Sequence, residues 1–336
     1  SSDEIWSYDF EWGNQPYMAM SGNGNFISVV TQYSGLIYFE KTSNEPLWES
    51  SPLSDYQEEE VTSMGHSFQG MSMSYDGKVV VSTGSAIHYF EHPYQYPLWS
   101  KDFHLEGYWP TVLKAKISSD GQKIAYKYGT ENSDPWGDPY LEEVFAISND
   151  DGVVIFSHSA ETQFSHPNGI DMVHISGDGS TTIYAARDPE FGRQSVLSAV
   201  YSEEGFVIET KEIPRTSTSS NAAFTQLHLS QNGKYTFVGN DKVMLMLDAD
   251  SLSPVATLSP FHEEHNPENV DYTQFSDIQS SNDGNFVFTE GRYFYRTGNS
   301  ASDVETVYFT LGFFTGRSDA DNDGVEDVYD DCPNTE

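Results

Sequence analysis

Six copies of the pattern Ser-x-(Asp/Asn)-Gly, each set between short β-forming runs, predict an all-β chain built as a β-propeller. The copies are Ser21–Gly24, Ser74–Gly77, Ser118–Gly121, Ser176–Gly179, Ser230–Gly233 and Ser281–Gly284. Their glycines fall 53, 44, 58, 54 and 51 residues apart, the period of a four-stranded blade. No apolar spacing of 3.6 residues competes with the strand pattern along the chain.

Within each repeat the strands follow in order. Asp-Gly or Asn-Gly between apolar runs is the strongest short-range hairpin signal, and it predicts type I′ turns with positive φ at both central residues. A short first strand precedes each turn, such as Met71–Met73 or Val173–Ile175. A second follows it, beginning at Phe26, Val79, Lys123, Thr181, Tyr235 and Phe286. Third strands begin at Leu36, Ala86, Glu143, Val196, Val243 and Thr306, and fourth strands at Pro46, Pro97, Val153, Phe206 and Pro254. The sixth repeat has no fourth run. The N-terminal Ile5–Phe10 reads like Leu98–Phe103 and is the expected closing strand, which would remove a free sheet edge. The prediction is therefore six blades closed by the N-terminal strand, with a seventh, degenerate blade as the alternative count.

The segments Gly35–Ser50 and Ala86–Phe103 resemble the repeats of PQQ-like and related WD-type propellers, in which a Trp lies in the outer strand. The resemblance spans residues 1–315 and implies a fold without carrying over a catalytic residue. PQQ-dependent dehydrogenases look like larger, eight-bladed rings, and this chain has one cysteine, so it lacks their vicinal pair.

Residues 316–336 form a second region. Asp319, Asp321 and Asp323 occupy alternate positions, Gly324 supplies a sharp turn, Val325 offers a carbonyl, and Asp327 and Asp330 follow at positions 9 and 12. This is the loop register for a hard cation that takes six to eight oxygen ligands. An Asp at position 12 in place of Glu requires tighter closure. The segment through Cys332 and Pro333 resembles the thrombospondin type 3 repeat. That resemblance implies calcium at these aspartates and a cysteine pairing with a neighbouring repeat. Cys332 has no partner in this chain, so pairing between chains, pairing beyond Glu336 and a free thiol all stay open.

The chain carries 52 acidic and 16 basic side chains in 336 residues, a net charge of −36. Without the last 21 residues the balance is still −29. Such charge repels nucleic acid and anionic membrane surfaces. No apolar stretch approaches the ~18 residues of a transmembrane helix. The opening residues show neither a basic nor an apolar signal region, and the calcium motif favours a leader already removed, hence an extracellular or cell-surface protein.

Two residues before each motif Ser stand Ala19, Ser72, Lys116, His174, His228 and Gln279, expected to line a central channel. Strand direction puts the tight turns at one end of every blade and the long loops at the other: 51–68, 104–111, 129–141, 160–170, 187–195, 214–223 and 260–274. Long loops on a rigid scaffold are where binding residues gather. Tyr108, Trp109, Asp134, Trp136 and Asp138 combine aromatic faces with carboxylates, a mixture suited to sugars or peptides. His66, His104, His166, His262 and His265 sit in the same loops. Imidazole ligates transition metals and moves protons near neutral pH, but the offsets of these residues from the following Ser differ, so the repeat does not encode their convergence. His262 and His265 also lack the spacing of a helical zinc motif. The leading expectation is a secreted binding, adhesion or scaffold module for protein or glycan, with a calcium-stiffened stalk. The alternatives are a metal-dependent lyase or hydrolase using the loop histidines, and a structural subunit of a surface layer or filament.

Overall fold

The computed structural model of the chain describes residues 7–8, 16–30, 35–50, 70–83, 86–103, 108–132, 140–163, 173–187, 194–202, 205–213, 226–239, 243–259, 270–296 and 304–314. The described residues are all strand, turn and extended chain. Two compact units divide the chain, 1–214 and 215–336.

The first unit holds four antiparallel sheets whose strands follow one another in chain order. The first comprises β1 (Tyr17–Met20), β2 (Phe26–Val30), β3 (Leu36–Glu40) and β4 (Trp48–Glu49). The second comprises β5 (Gly70–Met73), β6 (Val79–Ser82), β7 (Ala86–Phe90) and β8 (Trp99–Asp102). The third has β9 (Tyr108–Ile117), β10 (Lys123–Asn132), β11 (Tyr140–Asn149) and β12 (Val154–Gln163). The fourth has β13 (Val173–Ile175), β14 (Thr181–Arg187), β15 (Gln194–Ser202) and β16 (Gly205–Ile213). First strands of successive sheets lie against one another, β1 on β5, β5 on β9 and β9 on β13.

In the second unit, β17 (Gln226–Leu229), β18 (Tyr235–Gly239), β19 (Met244–Asp248) and β20 (Pro254–Leu258) form one four-stranded sheet. The other has three strands, β21 (Val270–Ser280), β22 (Phe286–Arg296) and β23 (Val304–Phe314). Each of the six motifs thus opens one sheet, and the sixth sheet lacks a fourth strand among the described residues, as its sequence predicts.

Each motif folds by the same hydrogen bonds. The Ser Oγ accepts the N–H that starts the second strand, from Phe26, Lys123, Thr181, Tyr235 and Phe286 at 2.9–3.0 Å and from Lys78 at 2.9 Å. It donates to the Asp or Asn Oδ1, as in Ser118 to Asp120 at 2.6 Å. The Gly N–H closes the turn on the Ser carbonyl, 2.8 Å at Gly24. Type I′ is corrected here: the glycines have positive φ, whereas Leu252 alone among the described non-glycine residues does. The Asp or Asn side chain fixes the turn through its own hydrogen bonds, so only the Gly needs the left-handed region.

Apolar clusters fill the spaces between neighbouring sheets. Leu36, Tyr38 and Trp48 of the first sheet pack on Val79, Val81 and Phe90 of the second. Ile87 and Tyr89 meet Ile117, Ile124 and Tyr126 of the third, whose Phe145 and Ile147 meet Val173 and Tyr184 of the fourth. In the second unit, Phe237 and Met246 pack on Phe275, Val287 and Tyr293.

The structure also moves the expected loop bounds. Residues expected in the loops 104–111, 129–141, 160–170, 187–195 and 260–274 are partly strand, because β9 begins at Tyr108, β10 runs to Asn132, β12 to Gln163 and β14 to Arg187, and β15 and β21 begin at Gln194 and Val270. β9 is an edge strand, and Pro110 pairs with Thr130 beside a register shift, where a missing N–H is tolerated. Several residues before the motif Ser make contacts with the next sheet. Ala19 packs into the cluster shared with the second sheet, Ser72 Oγ accepts the Ile117 N–H at 3.3 Å, and His228 Nε2 lies 3.0 Å from Ser280 Oγ. Of the expected closing strand, Ser7 and Tyr8 are described. Tyr8 packs edge-on to Phe39 at 5.0 Å and donates to Glu49 at 3.4 Å; the pairing of Ile5–Phe10 lies outside the described residues.

Candidate functional site

Most residues singled out from the sequence lie outside the described chain: Asp319, Asp321, Asp323, Val325, Asp327 and Asp330 in the tail, Asp134, Trp136 and Asp138, and the five loop histidines. Tyr108 and Trp109 are placed by their backbone. Tyr108 stands opposite Asn132 and Trp109 opposite Glu131, at the end of the third sheet from which the 133–139 connection departs. Sheet extension therefore brings Tyr108 and Trp109 to the base of the segment bearing Asp134, Trp136 and Asp138. Strands of ten residues in this sheet, against four or five in β5–β7, produce that projection.

The opposite, turn-bearing end is described at side-chain level and is more elaborate than tight turns alone predict. Turns of adjacent sheets are laced by backbone hydrogen bonds, Gly22 N–H to the Ser74 carbonyl at 3.2 Å and Tyr75 N–H to the Ser119 carbonyl at 2.7 Å. Outside this lacing, aromatic residues clasp successive sheets. Tyr38 stacks on Trp48 at 4.8 Å and on His92 at 5.8 Å, and donates its hydroxyl to the Gly77 carbonyl at 2.8 Å. Trp48 Nε1 donates to His92 Nδ1 at 3.2 Å. One repeat on, Tyr89 stacks on Trp99 at 5.5 Å, and Trp99 Nε1 donates to the Asp150 carbonyl at 2.7 Å. Burial pushes the Tyr89 phenol up, and the charges of Glu91, Asp150 and Asp76 add to it. Those three carboxylates therefore gather at this end of the second sheet, with Lys78 paired to Asp150 at 3.5 Å.

Close in sequence to the clasp residues, four apolar or aromatic residues face solvent: Leu47 (43% exposed), Tyr94 (45%), Tyr96 (53%) and Leu98 (44%). The Tyr94 and Tyr96 rings lie 5.7 Å apart. Aligning the first two repeats shows the signal that reasoning from loop length missed. Lys41–Glu45 and His92–Tyr96 fill the same frame between Tyr-Phe-Glu and Pro-Leu-Trp, one polar and the other aromatic.

A buried imidazole and a half-buried ammonium belong to the second sheet. His88 is fully buried, with Nδ1 2.9 Å from Ser100 Oγ, and burial lowers its imidazole to about 4. Lys101 donates to Tyr126 Oη at 3.1 Å, lies 5.6 Å from that ring's centroid, and is held below the ordinary lysine range by desolvation. These contacts suit structural roles. Among the described residues no group of three or more His, Cys, Asp or Glu side chains is arranged to hold a metal ion, and no helix is long and apolar enough to cross a membrane.

No protein-family model matches the sequence, and no curated protein sequence does. Solved structures do. Hsv2p of Kluyveromyces lactis is 11% identical, with 86% of this chain and 77% of that one covered and a TM-score of 0.51. A second structure of K. lactis Hsv2, with complete loop 6CD, is 9% identical over 86% and 76%, with a TM-score of 0.50. The β-propeller domain of Myceliophteria thermophila Cps50 (Swd1) is 8% identical over 89% and 97%, with a TM-score of 0.41. Identities this low speak to fold alone. The repeated antiparallel sheets and the likeness to the two Hsv2 structures together make the chain a β-propeller.

Proposed function

We propose that this propeller is a secreted or cell-surface binding and scaffold module that takes a protein or glycan at the sheet ends opposite the Ser-x-(Asp/Asn)-Gly turns. The projection of the third sheet carries the reading, because its register sets Tyr108 and Trp109 at the root of the connection bearing Asp134, Trp136 and Asp138. Aromatic faces beside carboxylates supply stacking and hydrogen bonds to a sugar or peptide. The acidic tail supports a calcium-stiffened stalk, with Asp319, Asp321, Asp323, Asp327, Asp330 and the Val325 carbonyl as ligands.

Metal content by mass spectrometry, on protein purified without chelator, is the first test. Calcium alone, at about one or two per chain, is the expected result. Stoichiometric manganese, zinc or iron would overturn the module reading and make His66, His104, His166, His262 and His265 the site to mutate. A glycan and peptide screen follows, in which Trp109→Ala and Trp136→Ala should weaken a hit by about tenfold or more. Binding untouched by both would remove these residues from the site.

A further inference from the structure

We infer a second docking surface, at the turn-bearing end of the first two sheets, that takes an arginine-rich protein segment. The surface consists of Leu47, Tyr94, Tyr96 and Leu98, and it goes beyond the reading above because it lies at the other end of the sheets. It draws on two sheets that are tied together next to it. Trp48, next to Leu47, is hydrogen-bonded to His92, two residues before Tyr94, and the Tyr94 and Tyr96 rings lie 5.7 Å apart.

The turn does not need these aromatics. In the first repeat, Lys41–Glu45 makes the equivalent turn with polar residues. Ser43 N–H bonds the Glu40 carbonyl at 3.1 Å where Tyr94 N–H bonds the Glu91 carbonyl at 2.9 Å. Leu47 and Leu98 N–H groups each close on the preceding Tyr carbonyl at 2.8 Å. The flanking hydrogen bonds form with either side-chain set, although the second repeat has a cis His92–Pro93 bond where the first has Lys41–Thr42, so these bonds do not require two half-exposed tyrosines beside two half-exposed leucines. Exposed apolar residues grouped on neighbouring turns mark interaction sites.

Charge selects the partner. The charges of Asp76, Glu91 and Asp150 bear on the Tyr89 phenol, Asp150 being paired with Lys78 and bonded through its carbonyl to Trp99, next to Leu98, and the whole chain carries −36. An anionic partner is repelled. A cationic one is attracted at long range and then finds ring faces for its guanidinium groups, which bind aromatic faces more often than ammonium does. Inside the fold a tyrosine already takes a cation in this way, with Lys123 Nζ 5.0 Å from the Tyr201 centroid.

The test is fluorescence anisotropy on the full chain with three labelled probes: an Arg-Gly repeat peptide, its Lys-Gly counterpart and a neutral oligosaccharide. The Arg-Gly peptide should bind saturably and more tightly than the Lys-Gly peptide, with affinity falling as salt rises. Tyr94→Ala combined with Tyr96→Ala should weaken it by roughly 5- to 30-fold. Tyr308→Ala, which removes another exposed tyrosine in the other unit, should leave it unchanged. Circular dichroism and the melting midpoint check that the double variant is folded. Should it prove unfolded, Tyr94→Ser with Tyr96→Glu, which install the residues the first repeat carries in the same frame, serves instead. Equal binding by wild type and double variant, or equal affinity for both peptides, would reduce the effect to undirected attraction by an acidic protein and overturn the surface. Oligosaccharide binding lost in the variant, without peptide binding, would overturn the partner.

Discussion

Gly77 and Gly24 occupy the same position in two repeats, yet they carry different loads. Both have positive φ, +98° and +68°, which costs an L-residue about 1–2 kcal/mol. A Cβ on Gly24 would meet nothing within 4 Å, whereas one on Gly77 would lie 2.7 Å from the Phe26 ring and would collide with the Tyr38 hydroxyl that bonds the Gly77 carbonyl. Gly24→Ala is therefore expected to cost about 1 kcal/mol, and Gly77→Ala at least twice that, since the clasp must also open. Urea unfolding of the two variants checks the difference. His88 gives the residue scale its pH dependence. Burial depresses the folded-state value to about 4, below the ~6.5 of an unfolded chain. Its contribution is full above about pH 6.5 and is lost as pH falls toward 4, because the unfolded chain takes up the proton first. The loss is on the order of 3 kcal/mol. His88→Gln should flatten the stability profile between pH 6.5 and 4, and an unchanged slope would mean the imidazole is solvated.

At the scale of the strand and turn, the hairpin signal gave the right elements for an incomplete reason. Asp-Gly and Asn-Gly located all six turns. The side chain of the Asp or Asn, bonded to the Ser hydroxyl and to the chain beyond, was what allowed a turn with a single left-handed residue. Strand ends were less legible, because Tyr108–Val112 could be aromatic loop or aromatic strand until cross-strand partners were known. The sequence also marked Trp48 and Trp99 as outer-strand residues without showing what they hold. Trp99 shows this best: its indole stacks on Tyr89, its N–H reaches the Asp150 carbonyl of the next sheet, and Gly152 packs against its ring at the distance of a missing Cβ. Trp99→Phe keeps most of the stack and removes the hydrogen bond, leaving a carbonyl at the sheet junction unpaired. A loss of about 1–3 kcal/mol is expected, seen as a lower denaturation midpoint with unchanged cooperativity. A loss below a few tenths would make the stack, and not the hydrogen bond, the tie between sheets.

For the molecule as a whole the governing quantity is charge, and the candidate sites divide along what strands can encode. Sheet register fixed the places of Tyr108 and Trp109, while the carboxylates proposed to act with them, and the histidines of the alternative reading, belong to connections whose geometry no repeat dictates. The tail is the opposite case: the ligand order proposed for it is written residue by residue, from Asp319 to Asp330. Removing calcium should act there first. Seven carboxylates between Asp319 and Asp331 repel one another once the cation leaves, so chelation should expose 316–336 to protease. The sheets, held by buried apolar clusters such as Leu36, Tyr38 and Val81, should keep their melting midpoint. Salt separates general repulsion from specific binding. Raising it from about 0.1 M to about 1 M shortens the screening length from about 10 Å to about 3 Å. That change should stabilise the sheets, whose region of the chain carries −29, without restoring protease resistance to a chelated tail. If salt alone restored the tail, bulk screening would account for its order and the ligand register would have no role.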